Sequence, residues 1–174
     1  FDLRGYLVLR QVIDSNHVNE LNNILENFLD MEPDEWRGWV HHRDTAPQKN
    51  SIEIGQNRDV RSKHHIHNIF EMGEPYEKLI DCPGWIDYIN RFVGGDDGLF
   101  IDESFVDIRG PNAGTRLHGG AGKRRIRTQF RYHNNQFRCG QVNVLLALTN
   151  IGLGDGATMA VPGSHKSNLI HPQD

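Results

Sequence analysis

Two histidines stand where side chains could do chemistry. His118 lies in GTRLHGGAG, where a strand-like stretch gives way to a Gly-rich loop, and His165 lies in AVPGSHKSN, on a Pro-Gly turn after an apolar run. Imidazole suits iron, zinc and copper. Inward positions alternate along each strand of a β-barrel, so two imidazoles on separate strands can converge on one cation inside it. Taken singly, each is also an ordinary loop histidine. A third group, KHHIH (Lys63–His67), puts His65 and His67 on one strand face, but no acidic or Cys partner has suitable spacing nearby. These are read as loop residues near a barrel mouth, in reach of substrate, and His41 and His42 are treated alike. His133, in FRYHNN, points inward or outward according to register, and one residue of slip reverses the answer.

The elements that must carry these residues change character along the chain. GYLVLRQ alternates like a short strand. Asp14 or Ser15 then caps a helix on which Val18, Leu21, Ile24, Leu25 and Phe28 recur at helical spacing. Residues 31–62 are polar and loop-like, with Pro33 and Pro47 as breakers. A second helical stretch is expected over roughly 66–93, interrupted at Pro83-Gly84 and closed by GGDDG at 94–98. Strands follow: LFIDESFVDIRG alternates, RTQFRYH is strand-like, QVNVLLALTN reads as a long buried strand, and ATMAVPGS as another. Helices first and strands afterwards predict an α+β domain, or a barrel, mainly β, with helical padding. The division expected is a mainly helical part over 1–98 and barrel strands over 99–174, within one domain.

Bulk properties narrow the function classes. With 174 residues the chain can bury one core without staples. At 37% hydrophobic, 24% charged and a net charge of −4, it is not collagen-like, disordered or a basic polymer binder. No window approaches ~18 consecutive apolar residues, so no membrane partner is expected. Phe1 opens the sequence without a leader pattern and is read as a fragment boundary. Two cysteines without a CxxC pair suit a reducing, cytoplasmic setting. Between Asp107 and Asp155 there is no acidic residue, while the same stretch carries Arg109, Arg116, Lys123, Arg124, Arg125, Arg127, Arg131 and Arg138. Such a segment on a net-negative chain points to an anionic small molecule, with Arg124, Arg127 and Arg131 as contacts. A solvated strand face is the plainer reading of the same charges. Aromatics are sparse in this run, so nucleic acid is not an expected partner.

LTNIGLGDGATMAVPGSHKSN resembles the phytanoyl-CoA dioxygenase-like family of iron(II)/2-oxoglutarate oxygenases, in which an apolar strand ends in PGSHK. GYLVLRQVIDSNHVNELNNIL and EKLIDCPGWIDYINRFVG are similar to that family's opening strand and helix and to its second helix pair. The resemblance implies a double-stranded β-helix, a jelly-roll (cupin-like) barrel, with iron at its mouth. It implies iron(II), 2-oxoglutarate and O2 as cofactors and co-substrates. By position His165 matches the distal iron ligand, His118 the proximal one, and Ser167 a contact of the 2-oxoglutarate carboxylate. Asn143, alternating with Val142 and Val144, is a further candidate contact of 2-oxoglutarate or an outward polar residue.

Two departures from the family pattern stand out. The family carries a carboxylate two residues after the proximal histidine, completing a facial triad; here the chain reads His118-Gly119-Gly120. The family also places an arginine beyond the distal histidine to clasp 2-oxoglutarate, and none lies between His165 and Asp174. That arginine is expected beyond residue 174. Three readings of the missing carboxylate follow. A hydroxylase fills the gap with Asp102, Glu103, Asp155 or water. A halogenase seats chloride at the position that Gly120 leaves open, restoring a ligand and a negative charge. A non-catalytic binding domain keeps only a degraded metal site. Hydroxylation is favoured as the commoner activity among relatives.

Overall fold

The computed structural model describes residues 1–31, 40–42, 63–96, 98–109, 117–118 and 131–167. The opening helix, α1 (Ser15–Asp30), forms as its pattern predicts. Asp14 is the N-cap, and its carboxylate accepts the His17 N–H at 2.9 Å, satisfying one of the orphan donors of the first turn. Leu21 and Leu25, one turn apart, are buried on the inner face. The next elements are β1 (His41–His42), β2 (Lys63–His67), a 3-10 turn at Ile69–Met72, α2 (Glu74–Glu77) and α3 (Ile86–Val93). They are followed by β3 (Phe105–Arg109), β4 (Arg131–His133), β5 (Gln136–Arg138) and a 3-10 turn at Ser164–Lys166.

β1, β2 and β3 form an antiparallel sheet in that order, and β4 and β5 form a hairpin. The β2–β3 register pairs His65 with Asp107, Ile66 with Val106 and His67 with Phe105. Alternation therefore splits the sheet into unlike faces. Ile66 is fully buried, with Val106 and Ile108 packed against the same core. That core is built from Leu21, Leu25, Val40, Ile69, Met72 and Tyr76. The Tyr76 hydroxyl donates to the Leu21 carbonyl at 3.1 Å, and burial pushes its pKa up to about 12. His17 Nε2 donates to the Pro75 carbonyl at 2.8 Å, tying α1 to α2.

Several sequence expectations are corrected here. The stretch expected to be helical from about residue 66 begins instead as strand β2. Asn68, at φ +58°, and Gly73, at φ +131°, then turn the chain before any long helix can propagate. KHHIH is accordingly a paired strand rather than a loop, and its ladder with β3 crosses the division expected at residue 98. GYLVLRQ, QVNVLLALTN and ATMAVPGS make no strand ladder with the described residues. In QVNVLLALTN only Leu146 and Leu148 pack on the core, while Val144 is 44% and Leu145 70% exposed. Asn22 Nδ2 holds that segment to α1 by donating to the Leu148 carbonyl at 2.8 Å. Alternation and apolar content make a segment fit to pair, but a ladder needs a partner edge alongside. Among the described residues no barrel closes: the three-stranded sheet and the hairpin are separate.

Candidate active site

The PGSHK turn is built by its glycine. Gly163 takes φ +81°, a conformation that L side chains rarely adopt, and its N–H donates to the Arg4 carbonyl at 2.9 Å. The 3-10 turn after it sets His165, half-buried, against the first residues of the chain. His165 Nε2 donates to the Asp2 carbonyl at 2.7 Å, and Lys166 Nζ pairs with Asp2 Oδ1 at 2.8 Å. On the other edge of the ring, a Cβ added to Gly5 would lie 2.5 Å from His165 Nδ1. Phe1 meets the ring at 6.5 Å between centroids and stacks on Phe92 of α3 at 3.8 Å. The turn, the N-terminal segment and α3 thus form one packed unit.

His118 is exposed, as are Ser167 and Asn143. Arg131 opens β4, paired in register with Arg138. Gly120, Arg124 and Arg127 lie outside the described residues. Of the alternative carboxylates, Asp102 accepts from Gln141 Nε2 at 3.1 Å. Asp155 closes its own loop by accepting the Gly152 N–H at 2.7 Å. Glu103 is exposed. Among the described residues no three His, Cys, Asp or Glu side chains come together to hold a metal. His165 itself does not present a metal-ready edge: Nε2 is committed to a carbonyl and Nδ1 is buried against Gly5. The described residues therefore do not by themselves make an iron site.

Strand pairing assembles a different cluster around the KHHIH histidines, for which the sequence offered no acidic partner nearby. On the sheet face away from the core, His65 Nδ1 meets Asp107 Oδ1 at 2.5 Å, and Arg109 Nη2 donates to Asp107 Oδ2 at 2.8 Å. The His65 ring stacks on Phe105 and meets His67 edge-on, each at 4.5 Å between centroids. Partial burial works to raise the Asp107 pKa. The hydrogen bonds from His65 and Arg109 outweigh it and hold the carboxyl below its ordinary value of 3.8. The acid that KHHIH lacks locally is supplied by β3, across a long span of sequence. The usable signal was the alternation of FVDIR, whose outward positions are Phe, Asp and Arg.

A family model for phytanoyl-CoA dioxygenase (PhyH) matches residues 1–173. The chain belongs to the phytanoyl-CoA dioxygenase family. Members of this family are iron(II)/2-oxoglutarate-dependent dioxygenases with a cupin, or jelly-roll, fold, and the chain is an enzyme of that class. The family's cofactor set is iron(II) and 2-oxoglutarate with O2. No curated protein and no solved structure matches the chain. Among the described residues, no helix of this phytanoyl-CoA dioxygenase relative is long and apolar enough to cross a membrane.

Proposed function

We propose that the chain couples oxidative decarboxylation of 2-oxoglutarate to hydroxylation of an unactivated C–H bond in a small, anionic molecule. The family match over residues 1–173 carries this reading. Bound iron(II) supplies the oxygen chemistry of the family. His118 and His165 are the proposed ligands, and Ser167 and Asn143 the proposed contacts of 2-oxoglutarate. Arg124, Arg127 and Arg131 are proposed to meet the anionic substrate, supported by the absence of acidic residues between Asp107 and Asp155. Ligation of His165 through Nε2 and its bond to Asp2 exclude one another, because one nitrogen offers either a proton or a lone pair. Two free thiols, Cys82 and Cys139, support a reducing, cytoplasmic setting.

The test is succinate release with iron(II), 2-oxoglutarate and oxygen, alongside calorimetric titration of iron. His118→Ala and His165→Ala are expected to abolish both signals. Full succinate release by either variant removes that histidine from the ligand set. A second reading is favoured by Gly120, which stands where the family carries a carboxylate: halogenation with chloride as the missing ligand. It predicts a chloride requirement and loss of halogenation in Gly120→Asp. Turnover indifferent to chloride excludes it.

A further inference from the structure

The polar face of the β1–β2–β3 sheet holds a buried imidazole nitrogen that the reading above does not use. His65 has a side chain only 14% exposed, and its Nε2 is shielded from solvent with no hydrogen-bond partner among the described residues. Its other nitrogen, Nδ1, is bound to Asp107. An ionised carboxylate only accepts hydrogen bonds, so the proton between them sits on Nδ1. A neutral imidazole protonated on Nδ1 offers a lone pair at Nε2. Arg109, donating to the second oxygen of Asp107, keeps that carboxylate charged and in place, and so fixes the tautomer from one residue further out. Stacking on Phe105 and edge contact with His67 fix the plane of the ring.

An acceptor held this firmly and left unsatisfied is costly, and packing alone does not call for it. A Phe or Leu at the same place would fill the space without stranding a polar atom. The opposite face of the same strands is closed by the core under α1 and α2, through Ile66, Val106 and Ile108. The face bearing His65 is the one turned away from that core.

We propose that His65 is a substrate-binding residue: its Nε2 accepts a hydrogen bond from a hydroxyl group of the small molecule that the enzyme oxidises. Asp107 and Arg109 are positioning residues for that acceptor. The assignment rests on the oxygenase reading for the identity of the ligand as substrate. It adds a chemical requirement, a hydrogen-bond donor, to the anionic character already argued.

The experiment labels histidine with 15N in the full chain and reads which ring nitrogen of His65 carries the proton, well above the ordinary histidine range of pH. A panel of small hydroxy acids, lactate among them, is then added, each against its O-methyl ether. Unprotonated Nε2, a shift of its resonance with at least one hydroxy acid, and no shift with the matching ether are expected. Asp107→Asn, whose amide can donate to Nδ1, is expected to move the proton to Nε2 and cancel the response. In succinate assays with a responding hydroxy acid, His65→Phe raises KM about tenfold, the worth of one such hydrogen bond. His65→Gln, which keeps an acceptor, recovers part of that loss. A proton on Nε2 in the wild type, no shift with any hydroxy acid, or equal shifts with acid and ether each overturn the proposal. An enzyme that forms no succinate overturns the oxygenase reading instead, and the resonance measurement still decides the acceptor.

Discussion

Gly5 offers a measurement of how firmly the PGSHK turn is seated. At φ +83° it already occupies a region that costs an L residue about 1–2 kcal/mol. A Cβ there would also lie 2.5 Å from His165 Nδ1 and 2.7 Å from Cγ, inside any real contact distance. Gly98 supplies the control, because it has φ +79° and nothing within 4 Å of an added Cβ. Gly98→Ala therefore carries the backbone strain alone, while Gly5→Ala adds an overpacking cost of about 1–3 kcal/mol. For a chain of this size each kcal/mol moves the melting temperature by about 2–4 °C, so Gly5→Ala is expected to melt about 2–12 °C below Gly98→Ala. The collision also swings the imidazole from its place. Equal melting temperatures for the two variants would refute the packing of the N-terminal segment on His165.

Ile66→Ala removes a fully buried side chain from the core under the sheet and is expected to cost about 2–5 kcal/mol in denaturant unfolding. A cost below 1 kcal/mol by that assay would mean the β2 faces are assigned the wrong way round. Asp107 has its folded pKa depressed, so its contribution to stability is present above its ordinary value of 3.8 and is lost as pH falls through the lower folded value. Comparing acid unfolding of the wild type and Asp107→Asn should show a stability gap that is constant near neutrality and closes below about pH 4. Tyr76 moves oppositely: its raised pKa of about 12 means stability is full below the unfolded value of 10 and drains as pH rises through 12. An ultraviolet titration should find a tyrosine ionisation step at about pH 12, cooperative with unfolding. Loss of that late step in Tyr76→Phe is the check.

Some of this architecture is written locally. Asp14 followed by apolar residues at helical spacing is enough to place α1 and its cap, because capping and amphipathicity act within a few residues. The family, too, was legible, since PGSHK and the flanking segments carry it and the match extends over residues 1–173. The apolar run at QVNVLLALTN shows the limit. Its composition suits a strand, yet its neighbours are Asn22 and the α1 core rather than a partner edge.

What the sequence alone determined was type: an opening helix, a Gly-built turn around His165, and an oxygenase family with a glycine where a carboxylate is usual. What only the tertiary structure decided was company. Nothing near KHHIH in the chain offers an acid, and β-pairing brings Asp107 beside His65 and Arg109 beside Asp107. Nothing near PGSHK predicts that Asp2 and Gly5 enclose its histidine. Side-chain partners across strands and between distant turns are set by register and packing, which depend on the whole fold, whereas caps, turns and helix faces are settled by neighbours a few residues away.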